Sequence, residues 1–505
     1  MKRLTRRSFL AASAAFAVRP AFAQVAVPSD EIDVLIVGAG AAGIAAARKL
    51  AAAGRSFTLV EATDRVGGRC FTETKTFGIP FDRGAHWIHA PEINPLTKLA
   101  GRTGLDIYPA PSGQRVRIGK RNAREGELED FLSALVRSHR AIDEGARGRT
   151  DVSCAQALPS DLADWRPSVE FALGPYASAK NLNEISALDF SKSVERDIGA
   201  FCRQGYGALL AKLAEGIPVQ FNSPVSHIDT ATRGSRVEVT TSNGPLHARY
   251  AIVTVSTNVI TSGTLKMDRE WPRRHLDAAG KLALGSYDHI ALELMGNPLG
   301  LQRDDLVFEK ATSARTAALL ANVSGTPLAL VEVGGRFGRE LSKQGDVAMV
   351  DFAVDWLAGM FGGDIRRAVR RTYTTHWDAD PWTLGAFSTA APGNQGARRI
   401  LMEPIRERVY LAGEALHETM WGTVGGAWES GERAADAVVR RLSGMADPAP
   451  VRTVVETPAA ASVGRRGRGE PESSAASARQ QPRAAGRKQR QTKPEPRRTR
   501  RGRSE

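Results

Sequence analysis

The stretch Glu31–Arg69, EIDVLIVGAGAAGIAAARKLAAAGRSFTLVEATDRVGGR, decides how this chain folds. Ile32 to Val37 is an unbroken apolar, β-favouring run, as expected of a strand buried in a parallel sheet. Gly38, Gly40 and Gly43 follow at G-x-G-x-x-G spacing. The alanine-rich segment Ala41 to Ala53 predicts a helix, and Gly54 ends it. Phe57 to Val60 predicts a second strand with Glu61 at its tip. Each part has a physical task. Gly38 makes the tight turn, Gly40 lets backbone approach a pyrophosphate, and Gly43 lets helix and strand close on each other. The helix N-terminus, with Ala42 in its first turn, faces phosphate charge, and Glu61 can take ribose hydroxyls. Strand, glycines, helix, strand and acid in this order predict dinucleotide binding, with NAD and FAD both open.

A chain of 505 residues is long enough for two or three domains and a large core. Its 42% hydrophobic and 25% charged content is ordinary for a globular protein. The net charge of +14 is not, so its location matters. Residues 1–23 carry +5 and residues 461–505 carry +10, which leaves about −1 across 24–460. A case for nucleic acid therefore rests on the tail alone. Cys70, Cys154 and Cys202 are too few and too scattered for a disulfide framework or a zinc site.

The two ends read as separate from the body. Arg6-Arg7 precedes Ser8-Phe9-Leu10 and an alanine-rich apolar run, and Ala21-Phe22-Ala23 precedes Gln24. That pattern predicts a targeting segment over 1–23, too short and too weakly apolar to span a bilayer. The paired arginines resemble the twin-arginine address for export of folded proteins, with an ordinary secretory signal as the alternative. Folded export suits a protein that receives its cofactor before leaving, so a periplasmic location is expected. Residues 446–505 are dominated by Pro, Ala, Ser, Gly, Arg and Gln. Such a composition predicts a disordered basic tail able to contact anionic surfaces, and export argues against nucleic acid as the partner.

Three separated motifs extend the opening stretch. RVGGR, Arg65–Arg69, follows the acid; SPVSHI covers Ser223–Ile228; VYLAGEALHETMWGTVGGAWESGERAADAV covers Val409–Val438. In this order they resemble the flavin-containing amine oxidase family, over roughly residues 31–442. The resemblance selects FAD. It implies an α/β fold, with a discontinuous Rossmann-type FAD-binding domain (31–90, 200–265 and 376–442) and an α+β substrate-binding domain (91–199 and 266–375). It implies Arg69 near the flavin phosphates, Val225 against the adenine and Glu414 by the ribityl or phosphate region. Thr423 and Val424 would open a helix whose amides face the isoalloxazine and favour negative charge there. The cysteine that tethers flavin in some members falls at Ala386, so FAD is expected to be non-covalent. Independently, Arg236 to Val255 alternates and predicts a hairpin turning at Asn243-Gly244.

The substrate side rests on three further stretches. GIPFDRGAHWIHAPEINPL, Gly78–Leu96, most resembles the polyamine-oxidase branch. That resemblance puts Gly84, Ala85, His86 and Trp87 on the flavin and turns His89 toward substrate, with a purely structural His89 as the alternative. Amino-acid oxidases usually carry an arginine here to hold a carboxylate. His86-Trp87 in its place points to an amine lacking an α-carboxylate. No neighbouring ligands complete a metal set around His86 and His89, so no metal is expected. In GSYDHIALEL, Gly285–Leu294, His289 stands where many members have a lysine that holds a water at the flavin; histidine can also hold a water. In HWDADPWTLGAFSTAAPG, His376–Gly393, Trp377 would pack near the flavin and Phe387 would form one wall of an amine cage. The opposite wall falls at non-aromatic Thr423, with Trp421 or Trp428 as substitutes. The implied reaction oxidises a polyamine or other primary or secondary amine to an imine, then to aldehyde or ketone, with reoxidation by dioxygen or an electron carrier. An L-amino-acid oxidase or other FAD oxidoreductase of the same fold, and a non-catalytic flavin-binding protein, are the alternatives.

Overall fold

The apolar run forms the strand Ile32–Val37 at the heart of an eight-stranded sheet in the computed structural model. Residues 32–445 are described, apart from 112, 195–197, 231–235 and 269; the targeting segment 1–23 and the tail 446–505 lie outside the described residues. Ile32–Val37 pairs in parallel with Phe57–Val60 on one side and Gly244–Val253 on the other. Val219–Gln220 and Val409–Leu411 add further parallel pairings. Val237–Thr241 and Val225–Asp229 continue the sheet as antiparallel strands. Its central strands are shielded on both faces, which is why Val34, Leu35 and Ile36 are all fully buried. The hairpin exists, but its turn sits one residue earlier than the Asn243-Gly244 pair suggests. Thr241 faces Gly244 across the ladder, so Ser242 and Asn243 make the loop. The Thr241 hydroxyl accepts from the Asn243 amide (3.0 Å) and donates to the Gly244 carbonyl (2.9 Å), closing the turn from within.

Two helices start against the same end of this sheet. Ala41–Ala52 follows the glycine turn directly, and Val424–Leu442 closes the described fold. Both are seated by backbone meeting backbone. A Cβ on Gly43 would lie 1.9 Å from the Gly38 carbonyl oxygen, and one on Gly431 would lie 2.0 Å from that of Ala42.

A seven-stranded sheet stands beside it, in the order Val369–Thr374, Tyr287–Leu294, Leu328–Gly334, Ala318–Ala321, Asp305–Glu309, Arg115–Ile118, Arg121–Asn122. Helices Gly335–Ser342 and Asp346–Phe361 cover one face, where Ile290, Leu292 and Val331 pack against Met349, Phe352 and Leu357. Period-two alternation turns Tyr287, His289 and Ala291 to the opposite face, together with Leu328, Leu330 and Glu332. Ala291, Leu328 and Leu330 meet Phe77, Phe81 and Phe201 there. A three-stranded ribbon of Ile88–His89, Gly199–Cys202 and Ile107–Pro109 positions His89. The three cysteines are buried and unbridged.

The seat of the last helix is testable. Gly431→Ala forces a methyl into the Ala42 backbone and should cost about 1–3 kcal/mol, the usual range for overpacking. Urea unfolding followed by circular dichroism measures it; an unchanged midpoint would mean the helix can shift freely.

Candidate active site

One cavity of about 1030 Å³ runs between the two sheets. At one end it is walled by the glycine turn. Gly38 takes a positive φ of 99°, and a Cβ there would strike the Thr254 hydroxyl at 2.6 Å. A Cβ on Gly40 would meet nothing within 4 Å and would project into open space. The helix starting at Ala41 has no side-chain cap, so its first amides lack acceptors within the helix and lie at the cavity. The closing helix begins at the same cavity. Thr423 Oγ1 accepts from the Gly426 amide at 2.9 Å, which leaves the Val424 and Gly425 amides without a helical acceptor.

Two buried carboxylates brace this end. Glu61 Oε2 accepts from the Ala39 amide (2.8 Å), and Oε1 accepts from the Thr63 amide (3.0 Å) and hydroxyl (2.8 Å). Three acceptor positions are thereby occupied, and one remains for a ligand hydroxyl. Glu414 receives Arg69 Nη1 (2.9 Å), the Ser388 hydroxyl (2.7 Å) and the Gly422 amide (2.9 Å). Burial alone would raise the Glu414 pKa. The charge of Arg69, with hydrogen bonds from Ser388 and Arg69, outweighs that and lowers it. Glu414 therefore ties three chain segments together at the wall, where the resemblance alone suggests a ligand contact. Nearby, Arg398 and Asp189 form a fully buried bidentate pair (2.8 and 2.6 Å); Asp189 also accepts the Ala390 amide (2.9 Å) and Arg398 donates to the Ala415 carbonyl (2.7 Å).

The other half of the cavity is aromatic. Trp377 donates Nε1 to the Arg83 carbonyl at 3.0 Å and presses on Gly84, where a Cβ would sit 3.0 Å from the indole. Trp87 stacks parallel to His89 with ring centres 6.2 Å apart. The rings of Phe387 and Tyr287 are 6.0 Å apart, and Tyr176 lies 6.3 Å from Tyr287. Tyr176 comes from a π-helical turn, Ala172–Tyr176, containing Pro175. Trp421 lines the cavity, whereas Trp428 is core and donates to Glu432.

Asp82 connects the two histidines that the sequence separates by two hundred residues. Its carboxylate bonds His86 Nδ1 at 2.7 Å and takes the Tyr206 amide at 3.0 Å, while Thr72 donates to it as well. Its backbone carbonyl bonds His289 Nδ1 at 3.1 Å. His289 Nε2 lies 3.4 Å from Glu332 Oε1, its direct cross-strand neighbour. Both ring nitrogens of His289 thus face protein acceptors. That departs from the expectation of a histidine holding a water on its own. Burial would lower the His289 pKa, but the hydrogen bond and charge of Glu332, the Asp82 carbonyl and the charge of Asp288 raise it overall.

The residues singled out in the sequence converge. Gly38, Gly40, Ala42, Glu61, Arg69, Val225, Glu414, Thr423 and Val424 line the cavity, as do Gly84, Ala85, His86, Trp87, His89, His289, Trp377 and Phe387. Gly43 does not; it packs beneath the turn, because its place is taken by the Gly38 backbone. Sequence reading missed Asp82, Tyr176, Tyr287 and Glu332. The signal for Glu332 is its place as the one charge in the apolar strand LALVEVG. Among the described residues no cluster of three or more His, Cys, Asp or Glu is arranged to hold a metal.

A sequence profile described as flavin containing amine oxidoreductase matches residues 41–439. The chain belongs to this family. Lysine-specific histone demethylase 1 homolog 3 of Arabidopsis thaliana is 27% identical, over 81% of this chain and 30% of the relative. Polyamine oxidase 4 of Oryza sativa subsp. japonica is 26% identical, over 81% of this chain and 89% of the relative. The chain thus spans under a third of the demethylase and most of the oxidase. The solved structure of cyclohexylamine oxidase from Brevibacterium oxydans IH-35A matches in fold, with a TM-score of 0.69 at 20% identity, covering 82% of this chain and all of that one.

This flavin-containing amine oxidoreductase takes FAD, and the residues present fit that group. Gly40 leaves a cradle that any side chain would fill, two helix N-termini offer open amides to phosphate and ring, and Glu61 keeps an acceptor position for a hydroxyl. Gly40→Val tests the cradle. The protein should still fold, since the new Cβ meets nothing within 4 Å, but FAD affinity should fall roughly tenfold or more. Flavin absorbance per protein during FAD titration reads this, and full retention would place the dinucleotide elsewhere.

Proposed function

We propose that the chain is an FAD-dependent amine oxidase or dehydrogenase acting on a small primary or secondary amine, such as a polyamine or a cycloalkylamine. The carrying observation is the single cavity that joins a dinucleotide cradle at Gly38–Gly40 to an aromatic chamber at Trp87, Tyr287, Trp377 and Phe387. The polyamine oxidase and cyclohexylamine oxidase likenesses support the substrate class. FAD, when bound, supplies the two-electron acceptor for the amine α-C–H. The chain supplies the surroundings. Tyr176, Tyr287 and Phe387 give the chamber aromatic walls that pack against the carbon skeleton of the amine. Trp87 and Trp377 frame the reacting region and exclude water. His89, stacked on Trp87 at the chamber wall, orients the substrate. Water then hydrolyses the imine product to an aldehyde or ketone and a free amine, and dioxygen or an electron carrier regenerates the oxidised enzyme. Ala386 in the wall offers no thiol for a covalent link, which supports non-covalent FAD.

An amino-acid substrate is disfavoured by charge placement. Arg65 and Arg69 belong to the cradle end and Arg140 is exposed on Glu125–Ala146, so among the described residues the aromatic chamber holds no arginine for an α-carboxylate. The Arg6-Arg7 segment supports export through the twin-arginine route to the periplasm.

Anaerobic mixing tests the reading. FAD-loaded protein should bleach on adding putrescine, spermidine or cyclohexylamine, and failure with a broad panel of amines would sink the proposal. His89→Ala should slow bleaching roughly ten- to a hundredfold while FAD affinity stays within about twofold; equal loss of both would make His89 structural.

A further inference from the structure

Five carboxylates line the cavity among the described residues: Glu61, Asp143, Glu332, Asp380 and Glu414. Glu61 and Glu414 are occupied by protein donors at the cradle end. Asp380 accepts the Trp382 amide at 2.8 Å and lies in the fields of Arg65 and Arg83. Asp143 sits on the partly exposed helix Glu125–Ala146. Glu332 differs from all four. It is 1% exposed, and its Oε2 makes no hydrogen bond within the described residues. Its other oxygen faces His289 Nε2 at 3.4 Å. A carboxylate oxygen left in this state at a cavity wall is costly unless something arriving in the cavity satisfies it.

We propose that Glu332 is the anchor for the substrate nitrogen, accepting an N–H from the amine on Oε2, and that His289 is its competing partner on Oε1. The inference rests on the amine reading above. The anion has two aromatic neighbours: Tyr287, whose hydroxyl reaches toward Glu332, and Tyr176, which lies 6.3 Å from Tyr287 and feels the Glu332 charge. The competition follows from the acceptor geometry. Asp82 offers His289 Nδ1 a carbonyl oxygen and Glu332 offers Nε2 a carboxylate oxygen, so both nitrogens are served when both carry hydrogen. In that state the imidazolium neutralises Glu332. When His289 loses its proton, the full carboxylate charge becomes available to an ammonium.

The sign of the pH dependence follows. The His289 pKa lies above its ordinary value, and alkylammonium ions stay charged up to about pH 10. Amine affinity should therefore be weak below the His289 pKa and rise as pH passes through it. The other titratable groups around the pair are Asp288, Tyr176, Tyr287 and the Asp82–His86 dyad. The two phenols stay neutral because burial, aided by the Glu332 charge, pushes their pKa values well up. Burial also raises the Asp288 pKa.

The test is equilibrium binding of cyclohexylamine to protein loaded with FAD that has first been reduced with dithionite under anaerobic conditions, so that binding is measured without turnover, read by calorimetry, with cyclohexanol as the uncharged control. Glu332→Gln should weaken cyclohexylamine binding about ten- to a hundredfold and leave cyclohexanol within about twofold. Glu332→Asp, which keeps the charge, should recover part of the loss. His289→Gln should flatten the rise in amine affinity with pH. Unchanged amine binding in Glu332→Gln, or an unchanged pH profile in His289→Gln, overturns the inference. If Glu332→Gln does not fold, the Glu332→Asp affinity and the His289→Gln profile decide instead. Should no amine bind or bleach the wild type, the amine reading itself fails; should amines bleach the wild type while Glu332→Gln binds them equally, only this inference fails.

Discussion

The contact on which the rest of the structure depends is backbone against backbone at the glycine turn. Gly43 rests on the carbonyl of Gly38, and Gly431 rests on the carbonyl of Ala42. No side chain fits at either place. These two contacts bring the N-termini of Ala41–Ala52 and Val424–Leu442 to one cavity, although nearly four hundred residues separate them. Uncapped helix amides are weakly positive, so their convergence makes that end of the cavity favourable for a ligand with phosphates and a ring that takes on negative charge. The carboxylates there serve the wall: Glu414 gathers Arg69, Ser388 and Gly422, and its burial is tolerable because every one of those donors is present.

The chamber at the other end is organised by Asp82. One residue uses its side chain for His86 and its carbonyl for His289, so the two rings are oriented by a single short strand, Phe81–Asp82. This gives the stretch from Asp82 to His89 a division of labour. His86 is held in the wall against Phe201, and His89 is presented by the neighbouring ribbon beside Trp87. Two histidines three positions apart therefore sit in different surroundings, one bonded to Asp82 and one stacked beside Trp87.

His289 and Glu332 form the least ordinary part of the site. They are direct cross-strand partners with little solvent around them, in a chamber otherwise built from tyrosine, tryptophan and phenylalanine. A buried cation–anion pair of this kind contributes less to stability than its Coulomb attraction suggests, because both groups are desolvated. Its interest lies in chemistry: one proton in the pair determines how much negative charge the chamber presents to an incoming amine.

Much of this was legible in the chain because it is local. The unbroken run Ile32–Val37, the glycine spacing, the alanine-rich helix and Glu61 are set by short-range sterics and periodicity, and the structure places them as the spacing predicts, with the helix ending at Ala52. The motif residues at 84–89, 377, 387, 414 and 423–424 are joined into one site only by the resemblance of their motifs to the flavin-containing amine oxidases, not by local physics. Asp82, Tyr176, Tyr287 and Glu332 are not. Each is an unremarkable residue in an ordinary strand or turn, and each matters only through what the other strand or the distant loop brings beside it. The His289 imidazole shows the difference most clearly: its place in an apolar stretch is written in the chain, and the family resemblance alone singles it out. Its partners come from the fold, because cross-strand register set Glu332 on one nitrogen and the close approach of Phe81–Asp82 set the Asp82 carbonyl on the other.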